Sequence, residues 1–259
     1  MLFVISPAKT LDFDTPATTE RYTLPRFTEQ SAELIDILKQ KTPADIASLM
    51  DLSEPLSVLN VSRYQAWRPK FTKTNSKQAV LAFMGDVYEG LDARSLDADS
   101  LDHAQARLRI LSGLYGVLRP LDRMQPYRLE MGTRLAHAKG RNLYDFWGDA
   151  LTESLNTELA KFAEPVLVNL ASDEYFKAVK PKKLKARLVE CSFEDLKNGR
   201  YKIISFYAKR ARGLMARYAL TKRLSQPEQL RDFDVEGYRF APDASDENRY
   251  VFRRDAVPA

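Results

Sequence analysis

Short apolar runs and helically spaced apolar residues alternate along the whole chain. Leu2–Ser6 and Val166–Leu170 are runs of strand length that are apolar except for Ser6 and Asn169, which is typical of buried strands. Thr28–Lys41 instead carries apolar residues at intervals of three and four, which favours a helix. The same reasoning predicts further helices over Thr42–Met50, Glu54–Trp67, Asp102–Leu111, Asn142–Lys161 and from Phe206 to Leu224, and further strands at Ala79–Met84, Leu188–Phe193, Tyr201–Phe206, Tyr238–Phe240 and Arg249–Phe252.

Turn residues mark where several of these elements meet. Thr42-Pro43 offers an N-cap followed by a proline in the first helical position. Asn198-Gly199 stands between two alternating runs and is a strong hairpin signal. We predict a mixed α/β (α+β) fold over residues 1–259: a single compact domain with a central mixed sheet or partial barrel surrounded by helices. A clean strand–helix–strand alternation is absent, so a doubly wound sheet is not predicted.

Composition places this domain among soluble proteins. Hydrophobic residues make up 44% of the chain, enough for a large core. The apolar runs are far shorter than the roughly 20 residues that a transmembrane helix needs. The first residues carry no basic stretch and no small-residue cleavage site, so we expect a cytoplasmic protein. The single cysteine, Cys191, lies in an alternating run and is expected to be packed inside, with a reactive thiol as the alternative.

The charge is unevenly distributed. The net charge is +5, but residues 107–141 carry +6 and residues 177–223 carry +12, which leaves −13 for the remainder. Within the second stretch, the predicted helix after Phe206 presents Arg210 and Arg217 on one face, two turns apart. Arginine forks suit phosphate oxygens, which favours binding of a nucleic-acid backbone. The alternative is that these cations pair with the acidic remainder of the chain.

A glycine motif in the first basic stretch also favours binding of a nucleic-acid backbone. Leu108–Leu111 is apolar except for Arg109 and is followed by Gly113 and Gly116, as in a helix-hairpin-helix element whose turn lets backbone N–H groups approach a phosphate. Two residues separate these glycines, where the usual element has one. The alternative is an ordinary helix end followed by a turn.

Two loops that follow apolar runs contain side chains that could bind an ion or take part in catalysis. Ser6–Thr10 places Lys9 and hydroxyl groups after the first strand, where an anion could bind. Asp86 and Glu89 follow the Ala79–Met84 run and could act as a general base or hold a hard cation, or could simply cap a helix. The sequence has no phosphate-binding glycine loop, no cysteine cluster and no paired histidine motif, so no metal or cofactor is predicted.

Several long strings resemble one known family. These are Ile5–Asp12, Gly85–Leu91, Leu111–Asp122, Gln125–Gly132, Phe146–Asp149, Asn169–Lys177 and Ser205–Met215, and they are similar to the YaaA family of peroxide stress resistance proteins. The resemblance implies a cytosolic protein of the hydrogen peroxide response that limits unincorporated iron and so protects DNA and protein. It also implies DNA binding through a helix-hairpin-helix-like element and a positively charged cleft lined by Lys9.

We therefore carry three hypotheses from the sequence. The first is a DNA-binding, monomeric stress protein with weak sequence preference. Its phosphate contacts would come from Arg109, Arg119, Arg123, Arg128, Lys180, Lys182, Lys183, Lys209, Arg210 and Arg212, with backbone donors at Gly113 and Gly116. The second is an enzyme acting on a nucleic-acid or nucleobase substrate, with Lys9, Asp86, Glu89 and Arg128 in one cleft. The third is direct iron binding by Asp145, Asp149, Asp173 and Glu174.

Overall fold

A computed structural model of the chain describes residues 1–256, so the last three residues of the predicted 1–259 domain lie outside the described part. The strands are β1 (Leu2–Ile5), β2 (Thr10–Leu11), β3 (Lys77–Gln78), β4 (Phe83–Met84), β5 (Leu108–Ser112), β6 (Gly116–Leu118), β7 (Arg123–Met124), β8 (Val166–Leu170), β9 (Arg187–Lys197), β10 (Arg200–Lys202), β11 (Arg239–Phe240) and β12 (Arg249–Arg254). The α-helices are α1 (Thr28–Lys39), α2 (Pro43–Met50), α3 (Glu54–Ala66), α4 (Ala79–Ala82), α5 (Asp86–Leu91), α6 (Ala98–Arg107), α7 (Leu143–Trp147), α8 (Ala150–Leu159), α9 (Asp173–Phe176) and α10 (Ser205–Thr221).

An eight-stranded sheet forms the centre of the fold. Its main path runs β11-β12-β9-β8-β1-β5-β6, and β10 pairs with β9. The five central strands, from β12 to β5, are parallel, whereas β11, β6 and β10 pair antiparallel at the margins. The predicted mixed α/β fold is confirmed, with an open mixed sheet and not a partial barrel.

The central strands are buried because both of their faces are covered. Every residue of β1, β5 and β8 is buried, which explains why β1 and β8 are nearly continuous apolar runs. Helix α10 packs across β1, β8 and β9, with α5 and α6 against it, and α9 packs at β5. Within residues 1–256, no helix has both the length and the apolar character needed to cross a membrane.

Helices α5 and α10 approach so closely that two glycines are required at their crossing. A Cβ atom built on Gly213 would lie 1.9 Å from the carbonyl oxygen of Val87, and one built on Gly90 would lie 2.2 Å from that of Arg210. Both clashes are with backbone atoms, which cannot rotate away. The crossing therefore fixes where the side chains of α10 stand relative to the start of α5.

Local signals in the sequence are confirmed at several elements. Thr42 Oγ1 accepts a hydrogen bond from Asp45 N at 3.2 Å, and Asp45 Oδ2 accepts from Thr42 N at 2.8 Å, which completes a capping box at α2. Asn198 and Gly199 have φ of 56° and 73° and connect β9 to β10 in the predicted hairpin. The closing hairpin of β11 and β12 is also present.

Four predicted elements differ in the structure. Ala79–Met84 is a single helical turn followed by a two-residue strand, because its run of small and apolar residues fits either state once buried. The helix predicted over Asn142–Lys161 is broken at Gly148, whose φ of 51° separates α7 from α8. The second strand of the hairpin stops at Lys202, and Ser205 and Phe206 begin α10. The helix predicted over Asp102–Leu111 ends at Arg107.

The prediction of a helix-hairpin-helix element is wrong. Residues from Leu108 onward form the antiparallel hairpin of β5 and β6, with Ile110 opposite Leu118 and Ser112 opposite Gly116. The reason is burial: Leu108–Leu118 is buried throughout, and a run that is apolar on both sides suits an interior strand better than a two-sided helix. Gly113 and Gly116 are buried in this turn, and a Cβ atom on Gly113 would meet the Leu129 carbonyl oxygen at 2.2 Å.

Candidate functional site

A cleft lies where the order of the parallel strands reverses. From β1 the next parallel strand, β5, lies on one side, while β8 lies on the other side and leads on to β9. Loops leaving the carboxyl ends of β1 and β8 therefore diverge, and the space between them is where α/β sheets commonly bind ligands. The cleft has a volume of about 380 Å³ and is lined by Ser6, Pro7, Ala8, Lys9, Thr10, Met84, Gly85, Asp86, Val87, Leu170, Ser172, Glu174, Tyr175, Lys209 and Arg212.

Two serines join the loops at the floor of this cleft. Ser6 follows β1 and Ser172 follows β8. Ser6 Oγ accepts a hydrogen bond from Ser172 N at 2.9 Å and donates to Ser172 Oγ at 3.2 Å. Tyr88 of α5 donates to the Ser6 carbonyl oxygen at 3.0 Å. These bonds fix both loops, and among residues 1–256 no acceptor takes the hydroxyl hydrogen of Ser172.

Helix α10 supplies two cations to the cleft. Lys209 and Arg212 are three residues apart and so lie on neighbouring positions of one helix face. The Nε atom of Arg212 is buried, and no acceptor among the described residues lies within hydrogen-bonding distance of it. Burial lowers the pKa of the Arg212 guanidinium, against a smaller opposing effect of Asp173. A buried N–H donor without an acceptor is costly, so the Arg212 Nε–H favours an anionic ligand.

Lys9 and Arg128 meet at the same carboxylate. Lys9 Nζ lies 2.9 Å from Glu130 Oε1, and Arg128 Nη2 lies 3.0 Å from that oxygen. Lys9 is 66% exposed, whereas Glu130 and Arg128 are mostly buried. The exposed Lys9 ammonium therefore lines the cleft while Arg128 stands behind it, joined through a carboxylate that sequence reasoning did not single out.

Asp86 and Glu89, the two carboxylates of the enzyme hypothesis, line different cavities. Asp86 begins α5 and lines the cleft with Lys9. Glu89 lines a smaller neighbouring cavity of about 210 Å³ together with Asp12 and Arg94. The structure thus brings Lys9 and Asp86 together, links Arg128 to them through Glu130, and leaves Glu89 outside the cleft.

Most arginines of the first basic stretch are engaged within the fold. Arg109 is 3% exposed, and its Nε donates to both carboxylate oxygens of Glu158 at 2.8 and 2.9 Å. Arg119 donates to Asp122 at 2.8 Å. Arg123 donates to the backbone carbonyl oxygens of Thr72 and Ser76. Phosphate contact by Arg109, Arg123 and the buried Gly113 and Gly116 would require the surrounding structure to open, whereas Arg119, whose side chain is 25% exposed, would have to leave Asp122.

The remaining predicted cations lie near the cleft but are partly neutralised. Lys180, Lys182 and Lys183 line a groove of about 560 Å³ on α9, the helix whose Glu174 and Tyr175 line the cleft. Lys180 and Lys183 both pair with Asp149, at 2.8 and 2.5 Å. Arg210 pairs with Glu236 at 2.6 Å. The alternative of pairing with the acidic remainder thus describes much of the second basic stretch.

Three of the four carboxylates of the iron hypothesis contact different partners within the fold. Asp145 accepts from Arg141 N at 3.0 Å, Asp149 pairs with lysines, and Glu174 accepts from Gly132 N at 2.9 Å. In the described part of the chain, no three histidine, cysteine, aspartate or glutamate side chains come together in a group that could hold a metal ion. The third hypothesis therefore has no support in the geometry.

Cys191 is buried, as predicted, and its surroundings disfavour the thiolate. It is 7% exposed, and burial raises the pKa of its thiol to about 12. Peroxide-sensing cysteines are instead exposed and have a low pKa. The alternative of a reactive thiol is thus disfavoured.

Comparison with known proteins decides the family. The family model described as "Peroxide stress protein YaaA" matches residues 1–244. The chain belongs to the YaaA family. Among YaaA-family relatives, a UPF0246 protein of Janthinobacterium sp. (strain Marseille) is 65% identical over 254 residues, covering 98% of each chain. A UPF0246 protein of Ralstonia nicotianae is 64% identical over 257 residues, covering 99% of this chain and all of the relative. One of Chromobacterium violaceum is 62% identical over 255 residues, covering 98% and 99%.

Several lining residues of the cleft in this YaaA-family chain were missed by sequence reasoning. Ser172 and Glu174 carry the contacts described above, yet only Glu174 was considered, and as an iron ligand. A signal was present, because Ser172 follows a buried strand directly, as Ser6 does. That signal points to a site only once β1 and β8 are known to be neighbours in the sheet.

Proposed function

We propose that this peroxide stress protein binds DNA through the cleft of Lys9, Lys209 and Arg212. The observation that supports this most strongly is Arg212, whose buried Nε atom has no acceptor among the described residues. A phosphate oxygen would supply that acceptor, and arginine is well suited to it in geometry and charge. Lys209 adds a second cation to the same cleft, and Lys9 adds a third, which shares the Glu130 carboxylate with Arg128.

Lysines beyond the cleft extend this surface. The groove of Lys180, Lys182 and Lys183 shares α9 with the cleft, so a phosphate backbone held at Arg212 could continue past these side chains. Such backbone contacts carry little sequence information. We therefore infer a cytoplasmic, monomeric protein that binds DNA with weak sequence preference and a marked salt dependence.

A limit on unincorporated iron, which the family resemblance implies, would follow from this binding indirectly. Asp145, Asp149 and Glu174 are each held by a neighbouring donor or cation and are not grouped for a metal ion. In this proposal the protective effect acts at DNA.

Fluorescence anisotropy with a labelled duplex tests the proposal. We expect the double variant Lys209→Gln/Arg212→Gln to weaken binding at least about ten-fold at low salt, since each charged hydrogen bond contributes roughly 1.5–3 kcal/mol. We also expect the wild-type affinity to fall steeply as salt rises.

Lys161→Gln is the matched control. Lys161 is exposed and precedes β8, so it lies toward the amino edge of the sheet, opposite the cleft. Equal losses in Lys161→Gln and the double variant would show nonspecific attraction and overturn the assignment to the cleft. An affinity that does not change with salt would overturn phosphate-led binding.

A second candidate, an enzyme acting on a nucleic-acid or nucleobase substrate, is favoured by one observation. Lys9 and Asp86 line the same cleft, so a cation and a carboxylate would face one ligand. Asp86→Asn should then abolish turnover of oligonucleotides, assayed by chromatography of their components, while DNA affinity is retained. Unchanged oligonucleotides after prolonged incubation with the wild-type protein would rule this candidate out.

A further inference from the structure

The cleft is too small for a double helix and has the size of a small-molecule site. Its volume of about 380 Å³ is at the lower end of the range for such sites, which is roughly 300–1,000 Å³. Duplex DNA can pass over its mouth but cannot enter it. The side chains inside therefore need a smaller ligand, or a smaller part of the same ligand, to contact.

One set of lining groups suits a phosphate. Lys209 and Arg212 supply positive charge, and the Arg212 Nε–H has no acceptor among residues 1–256. The hydroxyl of Ser172 also retains its hydrogen, because Ser172 Oγ acts as acceptor toward Ser6 Oγ at 3.2 Å. A guanidinium, an ammonium and a hydroxyl together match the oxygens of a phosphate group.

The other lining groups do not suit a phosphate. Met84, Val87, Leu170 and Tyr175 offer apolar surface and one aromatic ring. Asp86 and Glu174 offer carboxylates, which repel an anion but accept hydrogen bonds from the amino groups of adenine or cytosine. One oxygen of Glu174 is occupied by Gly132 N at 2.9 Å, so the other remains for a ligand.

We propose that the cleft binds a single nucleoside monophosphate unit, with its phosphate on Lys209 and Arg212 and its base against the apolar side chains and the carboxylates of Asp86 and Glu174. This chemistry has two sources. One is a free nucleotide, and the other is one nucleotide of a DNA strand turned out of the helix. The second source rests on the proposed function, whereas the first does not.

Two exposed apolar side chains, one lining the cleft and one a helical turn away from Lys209, supply what extrusion of a nucleotide requires. Phe206 is 54% exposed and precedes Lys209 by three residues, so it lies close to Lys209 on α10. Met84, which lines the cleft, is 44% exposed. Apolar side chains inserted between base steps replace the stacking that a displaced base loses. Phe206 would do this next to the cations that hold the phosphate.

Calorimetric titration of the full chain with deoxyadenosine monophosphate tests the single-nucleotide site. We expect it to bind at least about ten-fold more tightly than inorganic phosphate or deoxyadenosine alone, because each of these fills only half of the site. Arg212→Met should weaken nucleotide binding about ten-fold or more, with Lys161→Gln as the unchanged control. Nucleotide binding no tighter than that of inorganic phosphate would overturn the proposal.

The variant Asp86→Asn tests the binding of the base separately from the binding of the phosphate. It should weaken deoxyadenosine monophosphate binding while strengthening inorganic phosphate binding, because the carboxylate accepts from the amino group but repels the anion. Strengthening of both ligands would contradict the placement of the base at Asp86.

A duplex with a central 2-aminopurine distinguishes the two sources, because this base becomes brighter when it leaves the stack. Brighter emission on binding, reduced by Phe206→Ala without loss of deoxyadenosine monophosphate affinity, would identify the nucleotide as part of DNA. Bound DNA with unchanged emission, together with tight nucleotide binding, would identify the free nucleotide. Nucleotide binding without DNA binding would overturn the proposed function and leave this inference standing. DNA binding together with deoxyadenosine monophosphate binding no tighter than that of inorganic phosphate would overturn this inference and leave the proposed function standing.

Discussion

Two arginines with a buried Nε atom, Arg109 and Arg212, show two uses of the same group. Arg109 belongs to β5, where Glu158 accepts from its Nε through both oxygens and Arg26 joins the same carboxylate at 2.6 Å. Arg212 lines the cleft, and its Nε has no acceptor among the described residues. The fold supplies the acceptors of the first arginine, whereas in the proposed function a ligand supplies that of the second. Charge counted along the sequence does not distinguish them.

Removing Arg109 should have the largest effect on stability. Arg109→Met deprives the buried Glu158 of its main partner, and breaking a buried pair typically costs about 3–5 kcal/mol. We expect the free energy of unfolding, measured by urea denaturation, to fall by that amount. A loss comparable to that in the exposed-site variant Lys161→Gln would contradict the structural role of this pair.

The same pair predicts sensitivity to acid. Burial alone would raise the pKa of Glu158, but hydrogen bonds from Arg109 and Arg26 overcome this and lower it from 4.5 to about 2. A pKa lowered in the folded state stabilises the protein above the unfolded value, and this stabilisation is lost as pH falls from 4.5 toward 2. Unfolding followed by circular dichroism should show this loss, and Glu158→Gln should flatten it.

The close crossing of α5 and α10 predicts a somewhat smaller effect. Gly213→Ala places a methyl group 1.9 Å from the Val87 carbonyl oxygen, so the helices must separate. Overpacking of this kind costs about 1–3 kcal/mol, which urea denaturation should detect. Gly199→Ala gives a comparison, because Gly199 has open space around its Cβ position, and its cost would come from backbone strain alone. Equal losses would contradict the importance of the crossing.

Replacing Arg212 should leave stability unchanged or raise it. Arg212→Met removes a buried donor that has no acceptor in residues 1–256, so we expect a change between zero and a gain of about 1 kcal/mol. The identical substitution at Arg109 is the control. A loss of several kcal/mol at Arg212 would show that the fold uses its charge and would remove the contrast between the two regions.

The smallest expected effect is the chemical modification of Cys191 in the native protein. With a thiol pKa raised by burial to about 12, native protein should react with a thiol reagent only as fast as it opens locally. Mass spectrometry of the peroxide-treated native chain should find this residue unmodified. Rapid oxidation at neutral pH would contradict the buried environment.

Local structure was predictable where the signal is local. The capping box at Thr42, the Asn198-Gly199 turn and the buried strands β1 and β8 each follow from neighbouring residues. The hairpin at Leu108–Leu118 was not predictable, because an apolar run with glycines fits a helix end as well as an interior strand. Its burial depends on residues such as Trp147, which donates to the Gly113 carbonyl oxygen at 3.0 Å from far along the chain.

The candidate site, too, was predictable only where the signal is local. Lys9 was singled out because it follows a strand, and the helix bearing Lys209 and Arg212 was recognised from spacing and charge. That Arg109 pairs with Glu158 and Arg128 with Glu130 could not be foreseen, because ion pairing depends on side chains that only the folded chain brings together. The order of the parallel strands, which creates the cleft, is likewise a property of the whole fold.

The glycine contact between α5 and α10 also bears on how such a protein can change through evolution. Neither Gly90 nor Gly213 can be exchanged singly without moving a helix, and a larger residue at one position cannot be offset at the other, where no side chain exists to shorten. Both helices carry lining residues of the cleft, so drift at either glycine would alter the site. We expect inherited variation in ligand preference to arise in the loops after β1 and β8 and not in the angle between these two helices.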